Sequence, residues 1–410
     1  ADQGGGESNP ATEDLRSIET VEELMQRFAL VYELPDTVYD AQESKLVPLA
    51  SLRNACTSRM ISRAWMESRD KRLVRVREVG FDPSCTDATI KCNLWGGWPT
   101  TPRAGGCETL LELLYHLCSE EHNGQSIYEW ILKWLAYPIQ HPGAKMKTAL
   151  VFHGAQGTGK NMFFEAVMAI YGEYGRIIDQ AAVEDKFNDW ASRKLFLIAD
   201  EVVARSDLYH IKNKLKAFIT GEQIRINPKN MAAYWEANHV NMVFLSNEAM
   251  PVVLEEDDRR HAVIWTPEKL SRDFYAGVQR EIESGGVAAL HDYLLHLDLG
   301  DFNNATLPPM TDAKRELIDL SLRAMLDPGD EVIIPAYTYS ATALCAMNLG
   351  ATVVMVDVLD DFTLDPAKVA AAITPRTRAI VVINPNNPTG AVYSTEFLLE
   401  VIEVARQNKS

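Results

Sequence analysis

Residues 149–161 read ALVFHGAQGTGKN, and this stretch decides the fold of the central part of the chain. Its first residues, Ala149 to Phe152, are apolar and predict a buried strand. The glycines that follow predict a tight turn, and the segment from Met162 to Tyr171 predicts a helix. A strand, a glycine-rich turn and a helix in this order are typical of a loop that binds phosphate groups.

The turn matches the pattern G-x-x-x-x-G-K, in which backbone N–H groups converge on phosphate oxygens at the positive N-terminus of a helix. Lys160 adds a charge that can reach the β- and γ-phosphates of a nucleotide. Asn161 stands where Ser or Thr usually ligates Mg²⁺, and its amide oxygen is a less usual substitute. The predicted nucleotide-binding residues are Gly154, Ala155, Gln156, Gly157, Thr158, Gly159, Lys160 and Asn161.

Two further strands end in polar residues that suit nucleotide hydrolysis. The apolar run 194–199 is followed by Asp200 and Glu201. Asp200 can hold Mg²⁺, and Glu201 can orient or deprotonate the attacking water. The run 240–245 leads to Asn247, whose side chain can position that water or touch the γ-phosphate. The alternative for the two acids is a solvated strand end.

Arg259 and Arg260 follow four consecutive acids at positions 255–258. Two interpretations stay open. One arginine can reach the nucleotide of a neighbouring subunit, a contribution of ~10³-fold or more in rate in other systems. Alternatively, both form surface ion pairs with the adjacent acids.

The order of these elements predicts an α/β fold. Strands that alternate with helices and end in polar residues indicate an open parallel sheet with its site at the carboxyl ends of the strands. A second alternation of short strands and helices follows residue 324, with strands at 332–335, 352–357 and 379–383. No internal repeat relates the two halves.

Composition limits the class of protein. With 410 residues the chain is longer than one hydrophobic core usually organises, so two or three domains are expected. None of its apolar runs approaches the ~18 residues of a membrane-spanning helix. The formal net charge of −17 restricts any nucleic-acid contact to a local surface. The first ten residues, ADQGGGESNP, lack the basic and apolar regions of a secretory signal, so we expect a cytoplasmic protein.

The six cysteines contain no C-x-x-C pair. Structural zinc sites usually place ligands two to four residues apart, so scattered reduced thiols are expected. The alternative is a zinc site built from Cys85, Cys92, Cys107 and His116.

The N-terminal region is less informative. Residues 17–30 predict a helix with Ser17 and Thr20 as candidate N-caps. The turn-rich stretch 93–106 predicts a linker. Between them lies a basic stretch that is either a solvated face or a nucleic-acid site. Its cations are Arg63, Arg69, Lys71, Arg72, Arg75 and Arg77.

Three ordered motifs, GAQGTGKN, LFLIADE and VFLSN followed by DDRR, resemble those of superfamily 3 helicases, in particular the ATPase domain of phage and plasmid primase-helicases. The resemblance covers residues 108–322. It implies a P-loop NTPase fold of the AAA+ type, with Asp200 and Glu201 as the Walker B acids and Asn247 as the sensor. It also implies a ring, usually a hexamer, with ATP between subunits and Arg259 or Arg260 acting in trans.

Residues 212–240 resemble the B′ region of that family, which leads to a hairpin lining the pore of the ring. The candidate nucleic-acid contacts here are Lys216, Arg225 and Lys229, of which Lys229 is the preferred phosphate contact. A few cations per subunit, repeated around a ring, can grip single-stranded DNA although each subunit is acidic. Solvated surface is the alternative for each of them.

The last 87 residues resemble the large domain of fold-type I pyridoxal-phosphate aminotransferases, on the motifs PAYTYSATA and NPNNPTG. The resemblance implies that Tyr339 stacks on the cofactor ring and that Asn387 binds its phenolic oxygen. Only Lys368 and Lys409 follow residue 324, and neither occupies the position of the family's Schiff-base lysine. Aminotransferase activity is therefore not expected, and we expect the apolar strands of this fragment to be poorly packed or to depend on another chain.

Together these observations predict four parts: a flexible tail (1–16), a smaller mixed domain and linker (17–107), the ATPase domain (108–322) and an incomplete aminotransferase-like αβ fragment (323–410). The predicted function is an ATP- and Mg²⁺-dependent helicase or replicative ATPase that moves on single-stranded DNA, in host cytoplasm and of phage, plasmid or bacterial origin. Expected partners are further copies of the chain in a ring and a primase or other replication proteins, without a membrane. The alternatives are a nucleotide-dependent DNA-binding assembly module without unwinding, and a pyridoxal-phosphate enzyme.

Overall fold

The structure is a computed structural model that describes residues 16–202, 209–229, 233–249, 251–252, 254, 258–323, 326, 328–338, 343–344, 346–347, 350–384 and 389–407. Within these ranges, the side chains of 209–214, 319–323 and 407 are not described. The predicted tail up to residue 15 and the predicted cofactor positions Tyr339 and Asn387 lie outside the described residues.

The N-terminal part is a small mixed α/β unit. Its elements are α1 (Val21–Arg27), β1 (Phe28–Val31), β2 (Thr37–Asp40), β3 (Lys45–Pro48), α2 (Leu49–Ala55), α3 (Arg59–Glu67), β4 (Arg72–Val74), β5 (Val79–Gly80) and β6 (Cys92–Asn93). The sheet order is β3-β2-β1-β4, with β1 and β4 parallel. Thr20 caps α1 through a capping box, but the helix ends three residues before the predicted Leu30, because Phe28 already pairs with Asp40 in the sheet.

The central part contains α4 (Glu108–Leu117), α5 (Gly124–Gln140), β7 (Ala149–Gly154), α6 (Lys160–Tyr171), β8 (Gly175–Ile178), α7 (Gln180–Glu184), β9 (Phe196–Asp200), α8 (Tyr209–Thr220), β10 (Gln223–Ile226), β11 (Tyr234–Ala237), β12 (Asn241–Ser246), β13 (His261–Thr266), α9 (Arg272–Glu281), α10 (Val287–His296) and α11 (Asp312–Arg323). Its five-stranded sheet has the order β13-β7-β12-β9-β8, and every pairing in it is parallel. Buried apolar side chains cover both faces of this sheet.

The strand register brings three loops to one edge of the sheet. Leu245 of β12 pairs with Phe152 of β7 on one side and with Asp200 of β9 on the other. Because the strands are parallel, the segments that follow Gly154, Asp200 and Ser246 leave the sheet side by side. The predicted open parallel sheet with polar residues at its carboxyl ends is therefore present.

The stretch predicted to be a linker packs against the central part. The Trp95 ring lies 4.6 Å from the ring of Tyr174, and the Trp98 ring lies 5.1 Å from that of Tyr171. The hydroxyl of Thr100 also donates a hydrogen bond of 3.0 Å to the carbonyl of Ala169. These contacts fix the stretch on helix α6 and the turn after it.

The C-terminal part is a small parallel αβ unit with β14 (Glu331–Pro335), β15 (Thr352–Val356), α12 (Pro366–Ala372), β16 (Thr377–Ile380) and α13 (Thr395–Gln407). The sheet order is β15-β14-β16, and all five residues of β14 are buried. Its two apolar clusters contain only residues beyond 325. The expectation of poor packing is therefore wrong for the central strand, which has a partner on each side, whereas Met355 on the edge strand β15 is exposed.

The described residues contain neither a metal-binding cluster of the zinc type nor a membrane-spanning helix. No group of three or more His, Cys, Asp or Glu side chains in this part of the chain could hold a metal ion, so the alternative zinc site at Cys85, Cys92, Cys107 and His116 has no geometric support. Within the same residues, no helix has the length and apolar content needed to cross a bilayer.

Candidate functional site

Residues 154–161, here called the glycine loop, connect β7 to α6 through backbone that favours glycine. Gly157 has a φ of +81°, and a Cβ there would meet nothing within 4 Å, so the position faces open space. Gly159 has a φ of +94°, and a Cβ there would lie 2.8 Å from Cδ1 of Leu113 and 3.0 Å from Cε1 of Tyr275. Both positions therefore need glycine, the second also for lack of room.

The glycine loop opens onto a cavity of about 480 Å³, lined by Gln156, Gly157, Thr158, Gly159, Lys160, Asn161, Met162, Asp200, Glu201, Asn247 and Tyr275. Helix α6 begins at Lys160, and its N-cap residue Gly159 supplies no side-chain hydrogen bond. The first N–H groups of this helix therefore donate no hydrogen bond to an N-cap side chain. Helix N-termini that bind anions have free N–H groups of this kind.

Lys160 lies inside this loop, with only 4% of its surface exposed. Its Nζ donates to the carbonyls of Gly154 (3.1 Å) and Ala155 (2.9 Å) and to Oδ1 of Asn247 (3.2 Å). Burial lowers the pKa of Lys160, and the charges of Glu201 and Asp200 oppose that shift. A bound polyanion would stabilise the charged ammonium group further.

Asn161 and Asp200 meet at the same edge of the cavity. Nδ2 of Asn161 donates a hydrogen bond of 3.1 Å to Oδ2 of Asp200. The amide group of Asn161 also carries an oxygen, and amide and carboxylate oxygens are among the ligands that Mg²⁺ prefers in proteins. The two predicted metal ligands are thus adjacent.

Glu201 and Asn247 form a second pair. Nδ2 of Asn247 donates to Oε1 of Glu201 over 2.6 Å, while its Oδ1 accepts from Lys160. Glu201 has a φ of +52°, a conformation that is strained for a residue with a side chain. Its backbone N–H donates to the carbonyl of Leu245, which holds the strained residue against β12. Asn247 therefore links the ammonium group of the loop to the carboxylate predicted to activate water.

Two buried polar atoms near the loop lack a partner. Oγ1 of Thr158, which lines the cavity, and Nε2 of His153 make no hydrogen bond in the structure. Burial lowers the pKa of His153 to about 4, and the nearby charge of Lys160 acts in the same direction. The imidazole is therefore neutral at pH 7 and adds no charge beside the loop.

Tyr275 of α9 was not identified from the sequence. Its ring lines the cavity next to Gly159, and its hydroxyl accepts a hydrogen bond of 3.0 Å from the N–H of Leu270. It lies more than 100 residues from the glycine loop in the chain, and no local motif marks it.

Arg259 and Arg260 lie at the opposite end of the sheet. The carbonyl of Arg260 accepts a hydrogen bond from the N–H of Ala149, the first residue of β7, whereas the glycine loop follows the last residue of that strand. At about 3.3 Å per residue, this separates the arginines from the loop by roughly 16–20 Å. The structure therefore does not bring them to the nucleotide cavity of their own chain.

The two arginines line a second cavity of about 340 Å³, together with Lys147, Thr148, Thr220, Ala305 and Leu307. None of these lining residues is acidic, and the three cations make no ion pair with any residue that the structure describes. The acids at 255–257, proposed as partners of the arginines, lie outside the described residues.

Asp258, the fourth of these acids, forms no ion pair with either arginine side chain, although its Oδ1 accepts a hydrogen bond of 3.2 Å from the backbone N–H of Arg260. Its carboxylate lies 3.2 Å from Nζ of Lys314 and 2.9 Å from Nδ1 of His261. Burial alone would raise the pKa of Asp258, but the hydrogen bond from His261 and the charge of Lys314 outweigh burial and lower it. This buried group ties α11 to the start of β13, directly after the two arginines.

The predicted nucleic-acid contacts belong to one helix and one hairpin. Lys216 is half-buried on α8, Arg225 is exposed on β10, and Lys229 is exposed in the connection to β11. In the antiparallel register Arg225 lies directly opposite Trp235, whose side chain is 64% exposed. Trp235 was missed because the sequence alone did not show that it faces solvent beside a cation.

Lys368 also has a defined environment. Its Nζ lies 3.3 Å from Oδ2 of Asp357 in an exposed ion pair, and Lys409 lies outside the described residues.

Comparison with known families gives two matches that follow each other along the chain. Residues 152–260 match a family described as a family of unknown function, DUF5906. Residues 315–386 match the DegT/DnrJ/EryC1/StrS aminotransferase family. Each match covers less than half of the chain.

Among curated proteins, the chain is 33% identical over 160 residues to the DNA primase-polymerase of Nitratiruptor phage NrS-1, covering 38% of this chain and 22% of that protein. It is 48% identical over 95 residues to the glutamate-pyruvate aminotransferase AlaA of Escherichia coli K12, covering 23% of this chain and 24% of that protein. The chain thus spans about a quarter of the length of these relatives.

Among solved structures, the apo structure of the NrS-1 C-terminal region aligns with a TM-score of 0.58 at 22% identity and covers 72% of this chain and 71% of that one. At this identity the likeness concerns the fold alone. The chain is therefore a mixed α/β protein with parallel sheets that is similar in fold to the C-terminal region of NrS-1. Its C-terminal segment is similar to aminotransferases.

Proposed function

We propose that the central part of this chain is a P-loop nucleoside triphosphatase of the superfamily 3 type, which uses ATP and Mg²⁺ to move on single-stranded DNA during phage or plasmid replication. One observation carries the proposal. The side chains of Lys160, Asn161, Asp200, Glu201 and Asn247 come from three loops and line one cavity at the carboxyl edge of a parallel sheet.

The residues of the cavity suit a nucleotide. The uncapped N-terminus of α6, the ammonium group of Lys160 and the unpartnered hydroxyl of Thr158 offer donors to phosphate oxygens. Asp200 and the amide oxygen of Asn161 would hold Mg²⁺, which when bound neutralises charge on the phosphates.

The hydrolytic step is assigned to Glu201 and Asn247. Glu201 accepts a hydrogen bond from Asn247, which fixes the carboxylate at the mouth of the cavity, where it can orient a water molecule and take its proton. Asn247 also accepts a hydrogen bond from Lys160. A movement of Lys160 on phosphate binding would therefore be passed to Glu201 through the side chain of Asn247.

We assign the second cavity to a neighbouring copy of the chain in a ring. Lys147, Arg259 and Arg260 form a cationic pocket without an acidic lining residue among those described, at the end of the sheet far from the glycine loop. In a head-to-tail ring, one face of each subunit meets the opposite face of the next, so this pocket would meet the phosphates of the adjacent nucleotide. The buried pair of Asp258 and Lys314 would hold the arginines in place.

We assign DNA binding to the hairpin of β10 and β11 and to α8. The exposed Trp235 ring beside Arg225 offers stacking for a base and charge for a phosphate, and Lys229 and Lys216 add further cations. The similarity to the phage primase-polymerase supports a role in replication together with a primase or polymerase activity.

The test uses Glu201→Gln beside the unchanged chain, because the amide keeps the shape of the side chain but cannot take a proton. We expect nucleotide binding to remain and hydrolysis to fall by about 10²-fold or more. Strand displacement on a forked DNA, measured in the same samples, separates a motor from an assembly module that binds DNA without unwinding it. Incubation with pyridoxal phosphate should produce no cofactor absorbance.

A further inference from the structure

Residues 59–77 form a basic segment in an acidic chain. They carry seven cations and two acids, while the whole chain has a formal net charge of −17. The segment runs from α3 through β4, the edge strand of the N-terminal sheet, into the residues that follow it. No role in the nucleotide site accounts for it, because none of its residues lines that cavity.

The sheet places an aromatic ring beside these cations. The N–H of Tyr32 donates a hydrogen bond of 2.8 Å to the carbonyl of Val74, so Tyr32 continues the parallel pairing of β1 with β4 at the level of Arg75. Leu30 lies opposite Leu73 in this register, and residues two apart share a face. Tyr32, Leu73 and Arg75 therefore lie on one side of the sheet edge, where Tyr32 is 74% exposed and Leu73 55% exposed.

Two acids lie beside these cations, and backbone N–H groups of the same segment hold both of them. Glu33 accepts a hydrogen bond of 2.8 Å from the backbone N–H of Val76. Glu78 pairs with Lys91 and also accepts from the backbone N–H of Arg75. The guanidinium groups of Arg75 and Arg77 are exposed and form no ion pair within the described part of the chain.

We infer that Tyr32, Leu73, Arg75 and Arg77, here called the Tyr32 surface, bind single-stranded nucleic acid. An exposed ring with an apolar neighbour stacks on an unpaired base, and nearby arginines contact its phosphates. In a duplex the neighbouring base pairs cover both faces of each base, so Tyr32 could not stack on it. The binding depends neither on the nucleotide cavity nor on the hairpin, so this inference and the proposed function can fail separately.

The experiment measures binding of a fluorescently labelled oligothymidine to the full chain by anisotropy, without ATP and over a range of salt concentrations. All variants carry Arg225→Glu and Trp235→Ala, which disable the hairpin. We expect residual binding that Tyr32→Ala weakens by about tenfold, because stacking contributes on the order of 1–3 kcal/mol per base. Tyr32→Phe should retain it. Arg75→Glu with Arg77→Glu should lower the slope of log affinity against log salt by about 1.4.

Matched controls are Tyr115→Ala, which removes another exposed ring, and Arg176→Glu, which reverses another exposed charge. Both should bind as the hairpin-deficient parent does. The inference is overturned if that parent has no residual binding, or if the changes at the Tyr32 surface leave affinity and salt slope unchanged. It is also overturned if sedimentation shows that these changes alter self-association while binding of the oligonucleotide stays the same, since the surface would then join two copies of the chain.

Discussion

Nδ2 of Asn161 lies 3.1 Å from Oδ2 of Asp200, so the residue that departs from the usual Ser or Thr of the phosphate loop is hydrogen-bonded to the acid expected to hold the metal. The amide can orient the carboxylate and offer its own oxygen at the same time. This contact gives Asn161 a specific role that its position in the motif alone did not define.

Replacement of Asn161 tests that role. Asn161→Leu keeps the approximate size of the side chain but removes the amide, and we expect the Mg²⁺ concentration for half-maximal hydrolysis to rise by about tenfold or more. Asn161→Ser supplies a hydroxyl ligand and should retain hydrolysis. A magnesium titration of ATPase activity measures both, and an unchanged magnesium requirement in Asn161→Leu would contradict a metal-site role.

Asn247 is predicted to act on the rate of hydrolysis more than on affinity. It joins Lys160 to Glu201, and Asn247→Ala would leave the carboxylate without its 2.6 Å partner. We expect kcat to fall by about 10²-fold, because the base is no longer held in position. Affinity for a fluorescent ATP analogue should change little. A large loss of affinity with kcat preserved would show that Asn247 serves binding instead.

Two glycines provide a matched pair for the phosphate cavity. Gly157 and Gly285 both have positive φ, +81° and +101°, and a Cβ at either position would meet nothing within 4 Å. Alanine should cost about 1–2 kcal/mol of stability at each, because both backbones are left-handed. Only Gly157→Ala should also lose nucleotide binding, since its methyl group enters the cavity. Equal nucleotide affinity in the two variants would argue against a ligand above the loop.

His153 should make stability depend on pH. Its pKa is lowered to about 4 by burial, whereas an unfolded histidine titrates near 6.5, so the unfolded state binds the proton first as pH falls. Above about pH 6.5 His153 does not change the free energy of unfolding. Between about pH 6.5 and pH 4 it lowers that free energy progressively, by about 3 kcal/mol in total. His153→Asn should flatten the pH dependence of urea unfolding in this range, and His296→Asn, which removes an exposed imidazole, is the control. Parallel curves for His153→Asn and the unchanged chain would contradict this account.

Mixing experiments test the assignment of the second cavity. Chains with Lys160→Ala lack the loop lysine, and chains with Arg259→Ala and Arg260→Ala lack the arginines at the other end of the sheet. Each alone should be inactive. In a mixed ring, about a quarter of the interfaces would combine an intact loop with intact arginines, so ATPase activity should reappear. Absence of any recovery, with mixed assemblies verified, would contradict action in trans.

The glycine loop and the carboxylate pair could be predicted because each depends on a short local pattern. The glycine loop needs glycines and a lysine directly after a strand, and the acids Asp200 and Glu201 directly follow another apolar strand. Parallel pairing then brings both to one edge of the sheet, a general property of such folds. The meeting of Asn247 with Glu201 follows from the same geometry.

The remaining features depend on contacts between distant segments. The cavity of Lys147, Arg259 and Arg260 exists because β13 pairs with the start of β7, more than 100 residues away in the chain. The stretch 93–106 has the composition of a linker, yet its two tryptophans pack against tyrosines of the central part. The aromatic residue inside the basic stretch, Trp65, is buried, and the exposed ring of Tyr32 reaches the stretch only through the pairing of β1 with β4.

The most direct test of the central claim is the rate of ATP hydrolysis with and without single-stranded DNA, measured for the unchanged chain, Lys160→Ala and the surface control Lys186→Ala. We expect hydrolysis that DNA stimulates in the unchanged chain and in Lys186→Ala, and a loss of at least about 10²-fold in Lys160→Ala with its thermal unfolding preserved. Hydrolysis at the same rate in Lys160→Ala would contradict the proposal that the glycine loop holds the nucleotide.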